Sequence, residues 1–394
     1  MTNKLFLLTI LLLSLLLNSC GSNSLGEGEQ TFTQQEKKFV HTLFLTEYLW
    51  ADQVASNVDY SLYFQPQEFV DALKYDSLDK WSGVTTKQAL EDRNNQKRAG
   101  YGFRFTSDFT VVYTLINSPA YKKLLRGDKI LYLNGNVITS TLLREASEST
   151  DATIFTVLRN GNDIDISIKP SIYIYKVTLS KIFEESNKTI GYLRFDSFTE
   201  NSDIELEEAF TTFHTNKIDE LIIDLRYNGG GYLNIVSVLL DNISNSHSGQ
   251  RQFYLDGNAY YNSQHRDRTY LFENADLQDG NEVDMKRVIF LTTPNSASAS
   301  EVIINALKPY LGDNVITIGS NTHGKPVGMS GKTFGNNIYF LINFYTKNNN
   351  GQTTSFEGIK PTCATVDDIS HTLGDTNETM LSTALYYIQN NTCP

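Results

Sequence analysis

Unbroken apolar runs closed by polar or glycine-rich turns dominate the second half of the chain, and they predict buried strands. Val288 to Thr292 (VIFLT) and Leu221 to Leu225 (LIIDL) are such runs, Gly191 to Phe195 reads the same way, and the apolar Val315 to Ile318 (VITI) makes its neighbourhood partly buried. After VIFLT the pattern changes: Thr293 to Asn295 reads as a turn, and Glu301 to Leu307 (EVIINAL) as the start of a helix. The first part of the chain differs. Phe32 to about Trp81 reads mostly helical, with Phe39, Leu43, Phe44, Tyr48, Leu49 and Trp50 as an apolar face destined for a core. Between these regions, Val111 to Ile116 is strand-like and Pro119 suits the first turn of a helix. Gly127-Asp128 turns into a strand, and Asn134-Gly135 is a hairpin signal. Lys4 followed by the apolar Leu5 to Leu17 is too short for an ordinary membrane span but has the shape of an export signal.

The strand-to-helix corner carries the candidate chemistry. The tract Asn295-Ser296-Ala297-Ser298-Ala299-Ser300-Glu301 puts serines where the free N–H groups of a first helical turn favour negative charge, and the alanines leave room for a peptide. A hydroxyl attacks an amide only if something takes its proton, and His323 and Lys325 are the nearby candidates. Lysine serves only if burial lowers its pKa from about 10.4, whereas histidine, near 6.5, needs no tuning. Gly229, Gly230 and Gly231, after the strand ending in Asp224-Leu225-Arg226, let backbone N–H groups approach a developing oxyanion. A serine cap, a solvated lysine and a tight glycine turn are the plainer readings of the same residues.

Taken together, these pieces resemble the C-terminal processing peptidases, the tail-specific serine endopeptidases of family S41. The matching stretches are Gly191 to Phe195 with Phe198, the DLRYNGG loop, the SASASE tract, Thr322 to Lys325, and Gly358-Ile359-Lys360-Pro361, in that order. The resemblance implies an α/β catalytic domain of the ClpP/crotonase-like type, Ser298 as nucleophile and Lys325 as general base, with Ser296 and Ser300 as structural neighbours. It makes the backbone N–H of Ala299 and that of Gly229 or Gly230 the oxyanion hole, and gives His323 no catalytic part. Some members orient the lysine with a Gln four residues on; this chain has Met329 there. Ala99 to Pro170 resembles a PDZ domain, in which Gly100, Tyr101, Gly102 and Phe103 would match the loop that holds a peptide's terminal carboxylate. A small helical domain before it also fits. The N-terminus resembles a lipoprotein signal, with cleavage before a lipidated Cys20.

The expected organisation is a signal peptide over 1–19, a polar tether over 20–31, an N-terminal helical domain over 32–90, a PDZ domain over 99–170 and the catalytic domain over 171–394. Asp241 to Gly280 carries no recognisable ligand motif and reads as an insertion or as loops at a substrate rim. With Cys20 assigned to lipid, Cys363 and Cys393 could pair in an oxidising envelope compartment, with two free thiols as the alternative. No cysteine or histidine cluster has metal spacing, so no cofactor or metal is expected. A net charge of −12, from 33 basic and 45 acidic side chains, disfavours nucleic-acid partners. The expected partners are proteins or peptides with accessible C-terminal tails, and a membrane reached through the anchor at Cys20. Two other functions remain open: a noncatalytic PDZ lipoprotein that binds peptides, and an envelope scaffold.

Overall fold

A computed structural model describes residues 32–244, 246–265, 268–273 and 280–394. The signal peptide, Cys20 and the tether lie outside the described residues.

The N-terminal segment is less helical than its apolar content suggests. Helix α1 (Gln34–Thr46) starts at Thr33, whose hydroxyl accepts from the Glu36 N–H, and α2 (Pro66–Leu73) starts on a proline. Most of the chain between them is irregular, with two short 3₁₀ turns, and the segment ends in strand β1 (Gly83–Thr86) and the exposed helix α3 (Lys87–Asn94). Its apolar face does not close on itself. Val40, Phe44, Tyr48, Phe69 and Val70 pack with Val327, Tyr339, Leu341 and Ile342 from the second half of the chain.

A middle module follows: β2 (Lys97–Gly100), β3 (Phe103–Phe105), β4 (Val111–Thr114), β5 (Lys129–Leu133), β6 (Asn136–Val137), α4 (Ser140–Glu148), β7 (Thr153–Arg159), β8 (Asn162–Ile168) and β9 (Ser171–Ile174). Strands β5 to β8 form a sheet in the order β6-β5-β7-β8, while β2 pairs with β9 and β3 with β4. Tyr101, Val111, Leu124, Phe155 and Val157 fill a core of its own.

The remaining chain builds two sheets. The first contains β10 (Thr178–Glu185), β11 (Lys188–Phe195), β12 (Glu220–Asp224), β15 (Val288–Thr292), β16 (Val315–Gly319) and β19 (Cys363–Ala364), adjacent in that order. From β11 onward every pairing is parallel. The three strands with mostly apolar sequences, β12, β15 and β16, are buried throughout, as a parallel sheet covered on both faces requires. One face packs on α5 (Ser202–Asn216), α6 (Leu233–Ile243) and α8 (Ala299–Leu311), the other on α9 (Thr379–Asn390).

The second sheet is organised by the long strand β18 (Asn337–Asn348), which pairs with β17 (Val327–Phe334), with β1, and with β13 (Arg251–Gly257). Between β13 and β14 (Thr269–Leu271), which extends the sheet, lies the short helix α7 (Ala259–Gln264). The expectation of rim loops over Asp241 to Gly280 is therefore corrected. Part of that stretch is a strand inside a sheet, because Phe253 and Leu255 alternate with polar residues and Phe253 is buried in the main core.

Candidate active site

Strands β12, β15 and β16 are parallel neighbours, so the loops that follow them leave the same edge of the sheet. These loops are Leu225–Gly231, Thr293–Ser298 and Ser320–Pro326, and they carry the glycines, the serine tract and the Lys325 stretch respectively.

Of the three serines in the tract, two are tied down. Ser296 donates its hydroxyl to Leu225 O at 2.7 Å, and Ser300 donates to Asn228 O at 2.9 Å. Among the described residues the partly exposed Ser298 hydroxyl has no such partner. Its backbone is strained, with φ +56° and ψ −114°, a conformation that a serine adopts only when its surroundings force it. Such a corner turns the side chain out of the helix while the first helical N–H, that of Ala299, stays free of the helix ladder.

The surroundings that force it are the glycine loop and Glu301. Asn228, fully buried, donates its Nδ2 to Phe195 O and accepts at Oδ1 from the Gly230 N–H at 2.9 Å. Asn228 O accepts from Ala297 N–H, which stitches the glycine loop to the serine tract. Gly230 has φ +98°, and a Cβ there would lie 2.9 Å from both Ala297 O and Ser298 Cβ. Only glycine fits so close to the serine. Because Asn228 already holds the Gly230 N–H, the exposed Gly229 is the glycine with an N–H to spare.

Glu301 is completely buried and joins the serine loop to the lysine loop. Its Oε2 accepts from the Ser298 N–H at 2.9 Å and the Lys325 N–H at 2.8 Å. Its Oε1 accepts from the Thr322 hydroxyl at 2.6 Å and the Gly324 N–H at 2.8 Å. Gly324, at φ +84°, leaves no room for a side chain, since a Cβ would meet Phe356 O at 2.2 Å. The spacing Ser-x-x-Glu is the capping-box signature, which is how the sequence could have announced this carboxylate.

Burial pulls the Lys325 amine down from its ordinary 10.5 to about 8; Asp79 and Glu301 oppose the fall and Arg93 adds to it. The His323 ring, by contrast, is exposed and contacts Pro294 O. Met329 packs into the apolar cluster of the N-terminal segment and offers the lysine no polar atom. Trp81, from that segment, places its ring 5.5 Å from Lys325 Nζ. Nothing in the sequence pattern marks Trp81, which reads only as the end of an apolar stretch.

Below the glycine loop lies a buried charge network that sequence reasoning also missed. Arg226, 1% exposed, donates to Asp224, Asp367 and Glu378, and Tyr192 donates its hydroxyl to Asp224 at 2.8 Å. Asp367 also accepts from Arg126 of the middle module, at 2.6 Å, and from the Tyr227 hydroxyl. The ends of the chain's last helix are fixed as well: Glu378 caps α9, and Cys363 and Cys393 form a disulfide. Among the described residues no cluster of His, Cys, Asp or Glu has the makings of a metal site, and no helix is long and apolar enough to cross a membrane.

A hydroxyl that donates to no protein acceptor among the described residues, an amine brought toward neutrality and spare backbone donors are the parts of an acyl-transfer site. Comparison with known proteins points the same way. Residues 189–365 match peptidase family S41, and residues 35–83 match the peptidase S41 N-terminal domain. A carboxy-terminal-processing protease of Bartonella bacilliformis is 28% identical over 266 residues, 63% of this chain and 57% of that protein. A probable CtpA-like serine protease of Staphylococcus aureus is 25% identical over 280 residues, 67% of this chain and 52% of that one. The chain thus spans about half the length of the curated relatives it matches. The crystal structure of a Bacteroides fragilis protein described as an S41 protease shares the fold, with a TM-score of 0.75 at 23% identity over 90% of this chain and 97% of that one.

Proposed function

We propose that this chain, which carries a serine peptidase domain of family S41 of the C-terminal processing type, is an endopeptidase that cuts protein substrates selected by their C-terminal tails through a Ser298–Lys325 dyad. One observation carries the reading: a single carboxylate oxygen, Glu301 Oε2, accepts from the backbone N–H groups of both Ser298 and Lys325, so the two loops are held to each other. Lys325 takes the Ser298 proton as Oγ attacks the scissile carbonyl; the Ala299 and Gly229 N–H groups receive the oxyanion. The proton then passes to the leaving amine, and water, deprotonated by the same lysine, hydrolyses the ester. The domain belongs with ClpP/crotonase-like α/β folds on this reading, and no metal or cofactor takes part.

The middle module acts as a PDZ domain that presents the tail. Strand β3 pairs only with β4 among the described residues, which leaves an edge for an added peptide strand. Gly100 and Gly102, at φ +102° and +80°, shape the loop leading into it. Exported and anchored at Cys20, the enzyme would work in the cell envelope, where an oxidising setting suits the Cys363–Cys393 disulfide.

The test uses the chain from Gly21 on unfolded proteins with varied C-terminal tails, with products followed by intact mass. Wild type should cleave in a tail-dependent way, and folded Ser298→Ala and Lys325→Ala should not. Tail-dependent binding without cleavage by wild type would favour the peptide-binding alternative, for which the apolar Met329 is the argument.

A further inference from the structure

A lysine that acts as a base has to be both neutral and aimed. Burial accounts for the first, but among the described residues no hydrogen bond or ion pair holds the Lys325 amine. Position 329, the place for a polar partner, is occupied by an apolar side chain turned into the N-terminal cluster. What faces the amine is the ring of Trp81, 5.5 Å from Nζ.

Trp81 is itself fixed from several sides. Its N–H and that of Ser82 both donate to Asp79 Oδ1 at 2.9 Å. Asp79 is fully buried and accepts at Oδ2 from the Tyr48 hydroxyl, which in turn accepts from the Tyr75 N–H. Ser82 Oγ accepts from the Ile342 N–H, tying the same turn to β18. The indole lies nearly parallel to Phe356, at 6.4 Å and 20°, and meets the His323 ring edge-on at 6.1 Å. The turn that carries Trp81 is thus held through Asp79 and Ser82, and its partly buried ring stands beside the Lys325 amine in contact with Phe356 and His323.

We propose that Trp81 is the positioning residue for Lys325, its ring face confining the amine and excluding water where a polar side chain at 329 would otherwise orient it. The inference rests on the dyad reading above. It makes the N-terminal segment part of the active site, since the residue that confines the base comes from one piece of the chain and the base from another. The charges facing Lys325 are Asp79 and Glu301, which favour the ammonium, and Arg93 of α3, which opposes it.

The experiment measures the rate at which a fluorophosphonate phosphonylates Ser298, with fluoride as the leaving group, by intact mass, from pH 6 to pH 10. Wild type, Trp81→Phe, Trp81→Leu and Ser298→Ala are compared, each first checked for a cooperative thermal transition. Wild type should rise with a midpoint of about 8. In Trp81→Leu water reaches the amine, so the midpoint should move up by roughly one unit toward the reference lysine value, and the rate at pH 8 should fall about fivefold. Trp81→Phe, which keeps a flat aromatic face, should restore both. A Leu variant with the wild-type midpoint and rate overturns the proposal. Absence of phosphonylation in wild type overturns the dyad reading beneath it, which separates the two failures. If Trp81→Leu loses its thermal transition, Trp81→Met is read against the same two outcomes.

Discussion

Glu301 is the side chain on which the candidate site most depends, because its two oxygens satisfy four donors from two loops. Glu301→Gln keeps the shape but replaces one acceptor oxygen with a donor, leaving two of the four N–H and O–H groups unmatched. The expected result is a loss of about 2–4 kcal/mol in denaturant titration, together with cleavage about 100-fold slower as the two loops drift apart. The two glycines next to the serine make a paired test. Gly230→Ala drives a methyl group against Ala297 O and Ser298 Cβ and should abolish cleavage and lower the thermal midpoint, whereas Gly229→Ala meets nothing within 4 Å and should leave the thermal midpoint nearly unchanged. At this scale Ser298 and Lys325 were legible because each sits in a short tract beside a strand end. Trp81 and Asp367 were not, since each reaches the site only when segments distant in the chain fold together.

Among the elements, the centre of the parallel sheet could be read directly, because strands buried on both faces are written as mostly apolar runs. Strand β13 could not, as its alternating pattern in a polar, tyrosine-rich stretch marks a strand only once β18 is there to pair with it. The N-terminal helices are shorter than their apolar pattern predicts for a related reason: their aromatic residues serve a core shared with β17 and β18, not a helical bundle. The seam between α6 and β13 carries a pH signature. Burial, with help from Glu273 and Glu282, raises the Asp241 pKa to about 7, although Gln252 and the Glu273 N–H donate to it. The folded protein therefore holds a proton that the unfolded chain gives up near pH 4, and stability should decline as pH rises from about 4 to 7. Asp241→Asn should remove most of that decline, seen as a higher urea midpoint than wild type at pH 8 and a similar one at pH 4. The Cys363–Cys393 disulfide closes a sequence separation of 30 and ties the end of α9 back to β19. Its loss in a Cys363→Ala/Cys393→Ala variant should cost about 2–4 kcal/mol by the same titration.

For the molecule as a whole, the site is a joint product of three regions: the sheet edge supplies Ser298 and Lys325, the N-terminal segment supplies Trp81, and the middle module reaches in with Arg126. Arg126 donates to Val112 O, the Tyr227 hydroxyl, Asp367 and Asp368 O, and so links the module to the loop that carries Gly229. Arg126→Ala should leave Asp367 with Arg226 and the Tyr227 hydroxyl but cut the tie between the middle module and this loop, and hydrogen exchange across 224–231 should speed up with little change inside β12. The most direct test of the central claim is kcat/KM for cleavage of an unfolded protein substrate, measured from pH 6 to pH 10 in wild type, Lys325→Arg and His323→Ala. A rising limb with its midpoint at about 8, kept in His323→Ala and lost with all activity in Lys325→Arg, is the predicted result. Cleavage that survives Lys325→Arg, or that disappears in His323→Ala, would contradict it.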